Sequence, residues 1–268
     1  MSSRRKIKLM IIPVIIVSFL ALSFGLTSSH ATGPLNELGT PIASASQSVT
    51  VRTIATGTYW ATPMYIVKSS VAGPVIMVIG GVHGNEPAGY KAADIIRTYT
   101  IKKGTLIVIP RANLPADKSF SRTSTGVGDL NRSFPTSSTG RCDDVLASSI
   151  WKAIKDYHVQ WLIDLHEGYN YNRVDSSSVG QTVIYYPVGD TGTVARSIVT
   201  TLNTGISITN HKFNLMIYPV AGGATRAAGQ YLGVHTFILE TCSQQTLTTR
   251  VNQQQTGVKK VLRHLGMQ

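Results

Sequence analysis

The chain has 268 residues, of which 25 are lysine or arginine and 13 are aspartate or glutamate, so its formal net charge is +12. This length accommodates one domain with a substantial hydrophobic core. The positive charge does not predict nucleic-acid binding, because no basic run is interleaved with aromatic residues. For an exported protein, an anionic wall polymer or a membrane surface is the expected neighbour of such a surface. A basic surface that serves only solubility is the alternative.

The N-terminal segment has the pattern of a secretory signal. Four basic residues between positions 4 and 8 precede an uncharged, mostly apolar stretch from Leu9 to Leu26, and Ser29 and Ala31 supply the small residues that signal peptidase requires. We predict cleavage after Ala31 and secretion. An uncleaved membrane anchor is the alternative, because the apolar stretch is long for a signal. Removing residues 1–31 takes away four basic residues and no acidic one, so the remaining 237 residues keep a charge of +8.

The first half of the domain is predicted to alternate between strands and helices. Residues 32–48 are small, polar and aperiodic, which predicts a linker before a domain spanning 49–268. VTVRTIATG and YWATPMYIV predict two short strands, because they are rich in β-branched and aromatic residues. The apolar run PVIMVIGG predicts a strand buried on both faces, PAGYKAADIIRTY a helix, and TLIVIP another buried strand.

The second half continues the same alternation. Residues 112–140 have little periodicity and predict a long functional loop. CDDVLASSIWKAIKDY predicts a helix capped by Asp143 or Asp144, followed by the strands WLIDL and TVIYYP and the helix TGTVARSIVTTLN. A small-residue helix near AGGATRAAGQY, the core strand HTFILE and the amphipathic helix VNQQQTGVKKVLRHLG complete the chain. This order predicts an α/β layer fold with a mixed, largely parallel central sheet flanked by helices.

Cys142 and Cys242 are the only cysteines. In an exported chain the pair permits one disulfide, and two unpaired buried thiols fit the sequence equally well. Their spacing is not that of a zinc knuckle, which argues against a metal site made of thiolates.

Polar residues follow three of the predicted buried strands. His83 comes after VIMVIGG, His166 after WLIDL, and Glu240 closes HTFIL. Ligands of open α/β sheets bind beyond the carboxyl ends of the strands. We therefore expect these three side chains to lie at one edge of the sheet.

The stretch GGVHGNEPAG predicts part of a metal site. Its glycines allow a tight turn and Pro87 opens the next helix, so His83 and Glu86 can converge on one point. A neutral imidazole and a carboxylate suit Zn²⁺, and a catalytic site needs a third ligand with a fourth position left to water. His166 is the best candidate for that third ligand. The alternative for this motif is a histidine that satisfies a turn and a glutamate that caps a helix.

Four motifs in this order resemble the zinc carboxypeptidase superfamily: HGNE, DLNRSFP, DLHEG and the late glutamate of ILET. The nearest branch includes succinylglutamate desuccinylase and aspartoacylase, and the resemblance covers residues 50–265. It implies a three-layer sandwich and one zinc ion bound by His83, Glu86 and His166. It also implies that Glu240 is the general base and later the proton donor.

The resemblance implies roles for five further residues. Asp129 matches the carboxylate that orients a ligand histidine through its other ring nitrogen. Asn131 and Arg132 match the pair that holds the free carboxylate of the substrate, and Arg122 matches the arginine that polarises the scissile carbonyl. Arg226 resembles a further substrate-contacting arginine of the aspartoacylase branch, although its spacing to the late glutamate is longer here.

Together these observations predict a secreted zinc hydrolase that cleaves an amide bond near a free carboxylate, by means of a zinc-activated water and a glutamate base. The expected substrate is a peptide, a cell-wall peptide or an N-acyl amino acid, and export favours the first two. The alternative is a non-catalytic carboxypeptidase-like module that binds a wall polymer. It is disfavoured because the ligand positions and the base position are all filled. The sequence leaves the scissile bond and the oligomeric state open.

Overall fold

The computed structural model describes residues 46–268. The predicted signal segment and residues 32–45 of the predicted linker lie outside these residues. Among the helices of the described part, none combines the length and the apolar character needed to span a bilayer.

Between residues 46 and 268, eight strands form one mixed sheet at the centre of the domain. They are β1 (Gln47–Ile54), β2 (Thr62–Ser69), β3 (Val75–Gly80), β4 (Thr105–Ile109), β5 (Trp161–Gly168), β6 (Thr182–Tyr186), β7 (Asn214–Ile217) and β8 (His235–Cys242). Their order in the sheet is β1-β2-β4-β3-β5-β8-β6-β7. Strands β4, β3, β5 and β8 are parallel to one another, whereas β2 and β6 join them antiparallel. The predicted mixed sheet with a parallel centre is confirmed.

Helices cover both faces of this sheet. In the described part they are α1 (Pro87–Ile96), α2 (Leu114–Lys118), α3 (Val145–Asp156), α4 (Thr191–Asn203), α5 (Ala224–Leu232) and α6 (Leu247–His264). Helices α1, α4 and α6 contribute to one hydrophobic cluster, and α3 and α5 contribute to a second. The arrangement is the three-layer α/β sandwich that the sequence predicts.

Strand β3 shows why its sequence is continuously apolar. Ile76 and Val78 belong to the first cluster, whereas Met77 and Ile79 belong to the second. Successive side chains of a strand point to opposite faces, so a strand covered by helices on both sides needs apolar residues at every position.

Two details differ from the prediction. The segment 112–140 is not a continuous loop, because it contains α2 and a short 3₁₀ helix, Leu130–Arg132. The side chains of Asn113 and Asp129 accept hydrogen bonds from backbone N–H groups at the starts of these two helices. Short polar residues are preferred at this capping position. Strand β7 was not predicted, because four partly exposed residues offer too little alternation to recognise.

Two alternatives left open by the sequence are decided. The side chain of Asp144 caps α3 by accepting the N–H of Ala147 at 2.8 Å. Cys142 and Cys242 are both free thiols. Cys242 is buried in β8, whereas Cys142 is only partly buried and packs against the second hydrophobic cluster, so the thiols are unpaired but not both buried.

Candidate active site

The loop HGNEP joins β3 to α1 and carries the first two predicted ligands. Gly84 packs against the backbone of α2, where an added Cβ would lie 2.1 Å from the carbonyl oxygen of Ala116, so only glycine fits. Pro87 is the first residue of α1 and Glu86 is its N-cap. The Glu86 side chain makes no cap hydrogen bond with the described residues. Its carboxylate is turned instead towards the two predicted histidine ligands.

His83, Glu86 and His166 converge on one point. His83 Nδ1 lies 2.7 Å from Glu86 Oε1, and His166 Nδ1 lies 3.0 Å from Glu86 Oε2. One potential ligand atom from each residue lies within 4.8 Å of the others, and all three residues are buried. The structure thus brings together the three residues predicted to share a metal ion.

Each histidine has a carboxylate beside its other ring nitrogen. Asp129 Oδ1 lies 2.9 Å from His83 Nε2, and Asp164 Oδ2 lies 3.0 Å from His166 Nε2. The contact between Asp164 and His166 is an electrostatic one, because the two atoms are close but do not have the alignment of a hydrogen bond. Carboxylates in this position fix the tautomer and orientation of metal-binding imidazoles.

Asp164 was missed in the sequence, although a signal for it exists. It precedes His166 by two residues on β5. Residues two apart on a strand share a face, so a second polar residue at that spacing in an apolar strand points to the same site.

The donor set fits a metal ion. Two imidazoles and a carboxylate with an open fourth position are a set that proteins use for catalytic zinc. Four carboxylates surround the imidazoles, those of Glu86, Asp129, Asp164 and Glu240, with Arg122 as a cation beside them. Burial opposes ionisation of Glu86, but its contacts with the two imidazoles outweigh burial and hold the pKa of its carboxyl well below the usual range. The ionised carboxylate of Glu86 therefore supplies negative charge that a divalent cation would balance.

Glu240 lies next to His166 in the sheet. The two are register partners in the parallel pair β5 and β8, and both line the same cavity. Glu240 is 6% exposed, and its Oε2 has no hydrogen-bond partner among the described residues. Burial raises the pKa of its carboxyl to about 8. A carboxyl group with a pKa near neutrality and a free oxygen suits proton transfer.

A cavity of about 170 Å³ contains the remaining predicted residues of this centre. Arg122 Nη2 donates to Asp129 Oδ2 at 2.9 Å, and its Nη1 lies 3.5 Å from Glu86 Oε1. Asn131 and Arg132 also line the cavity. Asn131 is buried with its Oδ1 unpartnered, and Arg132 is exposed with Nη1 donating to the Asn131 carbonyl at 2.8 Å.

Arg226 is not among the described residues that line this cavity. From α5 its Nη1 donates to the Pro219 carbonyl at 3.1 Å and its Nε donates to Gln230 at 2.6 Å. Its guanidinium lies 5.5 Å and 5.4 Å from the ring centroids of Tyr186 and Tyr218. Its role in substrate binding stays a prediction.

Two polar residues of α6 support the site and were also missed. Gln254 is buried, and its Nε2 donates to the carbonyls of His166 at 2.8 Å and Leu239 at 3.1 Å. Arg250 donates to the buried carboxylate of Glu167. These contacts brace β5 and β8 beside the predicted ligand and base. No local pattern could have indicated them, because Gln254 and His166 are 88 residues apart.

Comparison with known proteins identifies the family. Residues 72–265 match the model of the succinylglutamate desuccinylase/aspartoacylase catalytic domain. The chain belongs to this family. The resemblance read from the four motifs is therefore confirmed, and the enzymes that give the family its name are hydrolases. No curated protein matches the chain at a significant level.

Several solved structures share the fold at low sequence identity. Csd4 from Helicobacter pylori, a D,L-carboxypeptidase solved with mDAP bound, is 20% identical over 73% of this chain and 52% of its own, with a TM-score of 0.61. A succinylglutamate desuccinylase/aspartoacylase from Rhodobacter sphaeroides is 18% identical over 82% of this chain and 66% of its own, with a TM-score of 0.62. The product-bound ectoine utilization protein EutE from Ruegeria pomeroyi is 20% identical over 84% of this chain and 71% of its own, with a TM-score of 0.60. The chain matches only about half the length of Csd4, and identities this low show the fold alone.

Proposed function

We propose that the chain is a zinc-dependent hydrolase that cleaves an amide bond next to a free carboxylate. The observation that carries this proposal is the convergence of His83, Glu86 and His166 beside the unpartnered carboxyl of Glu240. Membership of the family supports hydrolysis as the reaction. Csd4 has been solved with mDAP and with a tripeptide, and EutE with a product, which supports a peptide, a cell-wall peptide or an N-acyl amino acid as the substrate.

The ligand residues would hold one zinc ion through the Nδ1 atoms of His83 and His166 and the carboxylate of Glu86. Asp129 and Asp164 would keep the two imidazoles in the binding orientation. When bound, zinc supplies a Lewis acid that polarises a carbonyl and lowers the pKa of water to about 7.

Glu240 moves the proton in this proposal. Positive charge in the site lowers the pKa of a neighbouring carboxyl, so Glu240 becomes ionised and accepts the proton of the attacking water on a carboxylate oxygen. The same oxygen then donates this proton to the leaving nitrogen as the amide bond breaks. Gln254 supports this step indirectly, because it ties the Leu239 carbonyl, next to Glu240, to the His166 carbonyl.

Three polar residues would position the substrate. Arg122 donates to the carbonyl oxygen as negative charge develops there, a contribution on the order of 3 kcal/mol for one good donor. Arg132 offers a planar fork for the free carboxylate, since only its Nη1 is engaged by a backbone carbonyl. Asn131 lies beside it with an unpartnered Oδ1.

The place of action is part of the proposal. The basic and apolar N-terminal segment supports export, with cleavage after Ala31. A charge of +8 on the remaining chain favours an anionic wall polymer or membrane surface as its neighbour. The N-terminal sequence of the protein recovered from culture medium tests this, because a retained segment in the membrane fraction would indicate an anchor.

The reaction is tested by loading the full chain with zinc and screening peptides with free C-termini, muropeptides and N-acyl amino acids. We expect one zinc ion per chain and hydrolysis that a chelator abolishes and added zinc restores. Glu240→Gln is the matched control, because it should bind zinc without turnover. Ligand binding with no chelator-sensitive cleavage of any substrate would contradict the proposal and favour a non-catalytic binding module.

A further inference from the structure

The cavity has an apolar wall beside Glu240. Val179, Ile184, Val220 and Ile238 line it. Ile184 of β6 and Ile238 of β8 are register partners, and Ile238 precedes Glu240 by two residues on the same strand. Residues two apart on a strand share a face, so the wall starts directly next to the proposed base.

The same wall reaches the proposed carboxylate anchor. Val220 lies in the loop between β7 and α5, and this loop packs tightly on the anchor segment. A Cβ added at Gly222 would lie 2.6 Å from the Arg132 carbonyl oxygen, and one added at Gly223 would lie 2.4 Å from Asn131 Oδ1. A substrate residue whose carboxylate is held by Arg132 therefore has its side chain within reach of the apolar wall.

A second substrate carboxylate would find no free cation in the described lining. Arg122 pairs with Asp129 and is the proposed donor to the scissile carbonyl, and Arg132 is the proposed anchor for the first carboxylate. Arg226 is not among the described lining residues, and its Nη1 donates to the Pro219 carbonyl.

An acidic side chain would also be desolvated on entering this cavity. The acidic residues of the lining offer it no partner, because Glu86 is a proposed zinc ligand and Glu167 is paired with Arg250. An unpaired charge moved from water to such a place loses hydration without gaining a partner, which is costly.

We propose that this cavity selects substrates in which the residue bearing the free carboxylate has an apolar side chain, and that it rejects acidic residues at that position. The inference rests on the proposed function and specifies its substrate. It sets this chain apart from the enzymes that name its family, which act on derivatives of glutamate and aspartate. A cavity of about 170 Å³ is smaller than the ~300–1,000 Å³ of drug-sized ligand sites, so it accommodates the end of one residue.

Leucine and aspartate test this selection, because their side chains have the same number of heavy atoms, both branch at Cγ, and differ in polarity and charge. We would measure kcat/KM of the zinc-loaded full chain for N-acetyl-leucine against N-acetyl-aspartate, and for tripeptides ending in each residue. A site rejects a group it cannot solvate by about 100-fold or more, so we expect at least that preference for leucine.

A positive charge added to the apolar wall should reduce the preference for leucine over aspartate substrates. Val220→Lys places a cation at the rim, where the side chain is 38% exposed and the substitution leaves the core intact. We expect the leucine-to-aspartate ratio to fall by about tenfold, the effect of one favourable charged contact. Ile217→Lys is the matched control, because Ile217 is 51% exposed on β7 and lies outside the described cavity lining. Its ratio should equal that of the unmodified protein.

The outcomes separate this inference from the proposed function. Equal or better hydrolysis of the aspartate substrates would overturn the apolar selection and leave the hydrolase intact. If no substrate of the screen were cleaved, the proposed function would fail, and competitive binding of N-acetyl-leucine and N-acetyl-aspartate to the zinc-loaded chain would decide the selection. Tighter binding of the leucine compound supports it, and equal or weaker binding overturns it.

Discussion

Asp164→Asn isolates the contribution of one buried charge to metal binding. Asp164 is 1% exposed and lies 3.0 Å from His166 Nε2. Neither of its carboxylate oxygens has a hydrogen-bond partner within the described part of the chain. Asparagine keeps the shape of the side chain and removes its charge, so His166 becomes a weaker ligand. We predict that the variant folds normally and binds zinc less tightly.

The size of the effect follows from the surroundings. Loss of a partner on the outer nitrogen of a ligand histidine costs about 10- to 100-fold in metal affinity, or about 1.4–2.8 kcal/mol. Asp164→Asn should lie at the upper end, because Asp164 is 1% exposed and solvent screens its charge little. Asp129→Asn is the matched control on His83 and should lie at the lower end. The Asp129 side chain is 25% exposed, and Arg122 already neutralises part of its charge.

The assay is a competitive zinc titration of both variants against a chromophoric chelator. Circular dichroism of the metal-free proteins checks that the fold is retained. Unchanged zinc affinity in Asp164→Asn would refute the reasoning, and so would a larger loss in Asp129→Asn.

Three further predictions concern catalysis, binding and packing. Glu240→Gln should lose about 10²- to 10⁴-fold in activity and keep its zinc, whereas His83→Ala should lose both; equal zinc loss, measured by metal analysis, would contradict the role given to Glu240. Arg132→Ala should raise KM by about 10- to 100-fold for free-acid substrates and leave KM for amidated substrates unchanged. An equal rise in KM for both kinds of substrate would contradict the role of Arg132 as the carboxylate anchor. Gly89→Ala should lower the free energy of unfolding by about 1–3 kcal/mol, because its Cβ would lie 2.3 Å from a β5 carbonyl oxygen. Urea denaturation measures this against Gly205→Ala, whose Cβ would meet no described atom within 4 Å; similar values for the two would disprove the packing argument.

Local patterns were sufficient for most of the secondary structure and for the metal-binding motif. The segment predicted as the helix TGTVARSIVTTLN is α4, Thr191–Asn203, and the apolar run PVIMVIGG contains β3. Such segments can be recognised because the periodic burial of a helix or strand produces a matching pattern of apolar residues in the local sequence. His83 and Glu86 were recognisable for the same reason, since both lie in one short loop between a strand and a helix.

The sequence by itself therefore determined the elements, the order of the motifs and the residue types available for a zinc site. Only the tertiary structure decided which distant groups meet. It placed Gln254 on the His166 carbonyl, joined Arg226 to the Pro219 carbonyl and packed the Val220 loop against Asn131. These contacts depend on how helices and loops dock on the sheet. Docking is set by the summed packing of many residues, so no single stretch of sequence carries a signal for it.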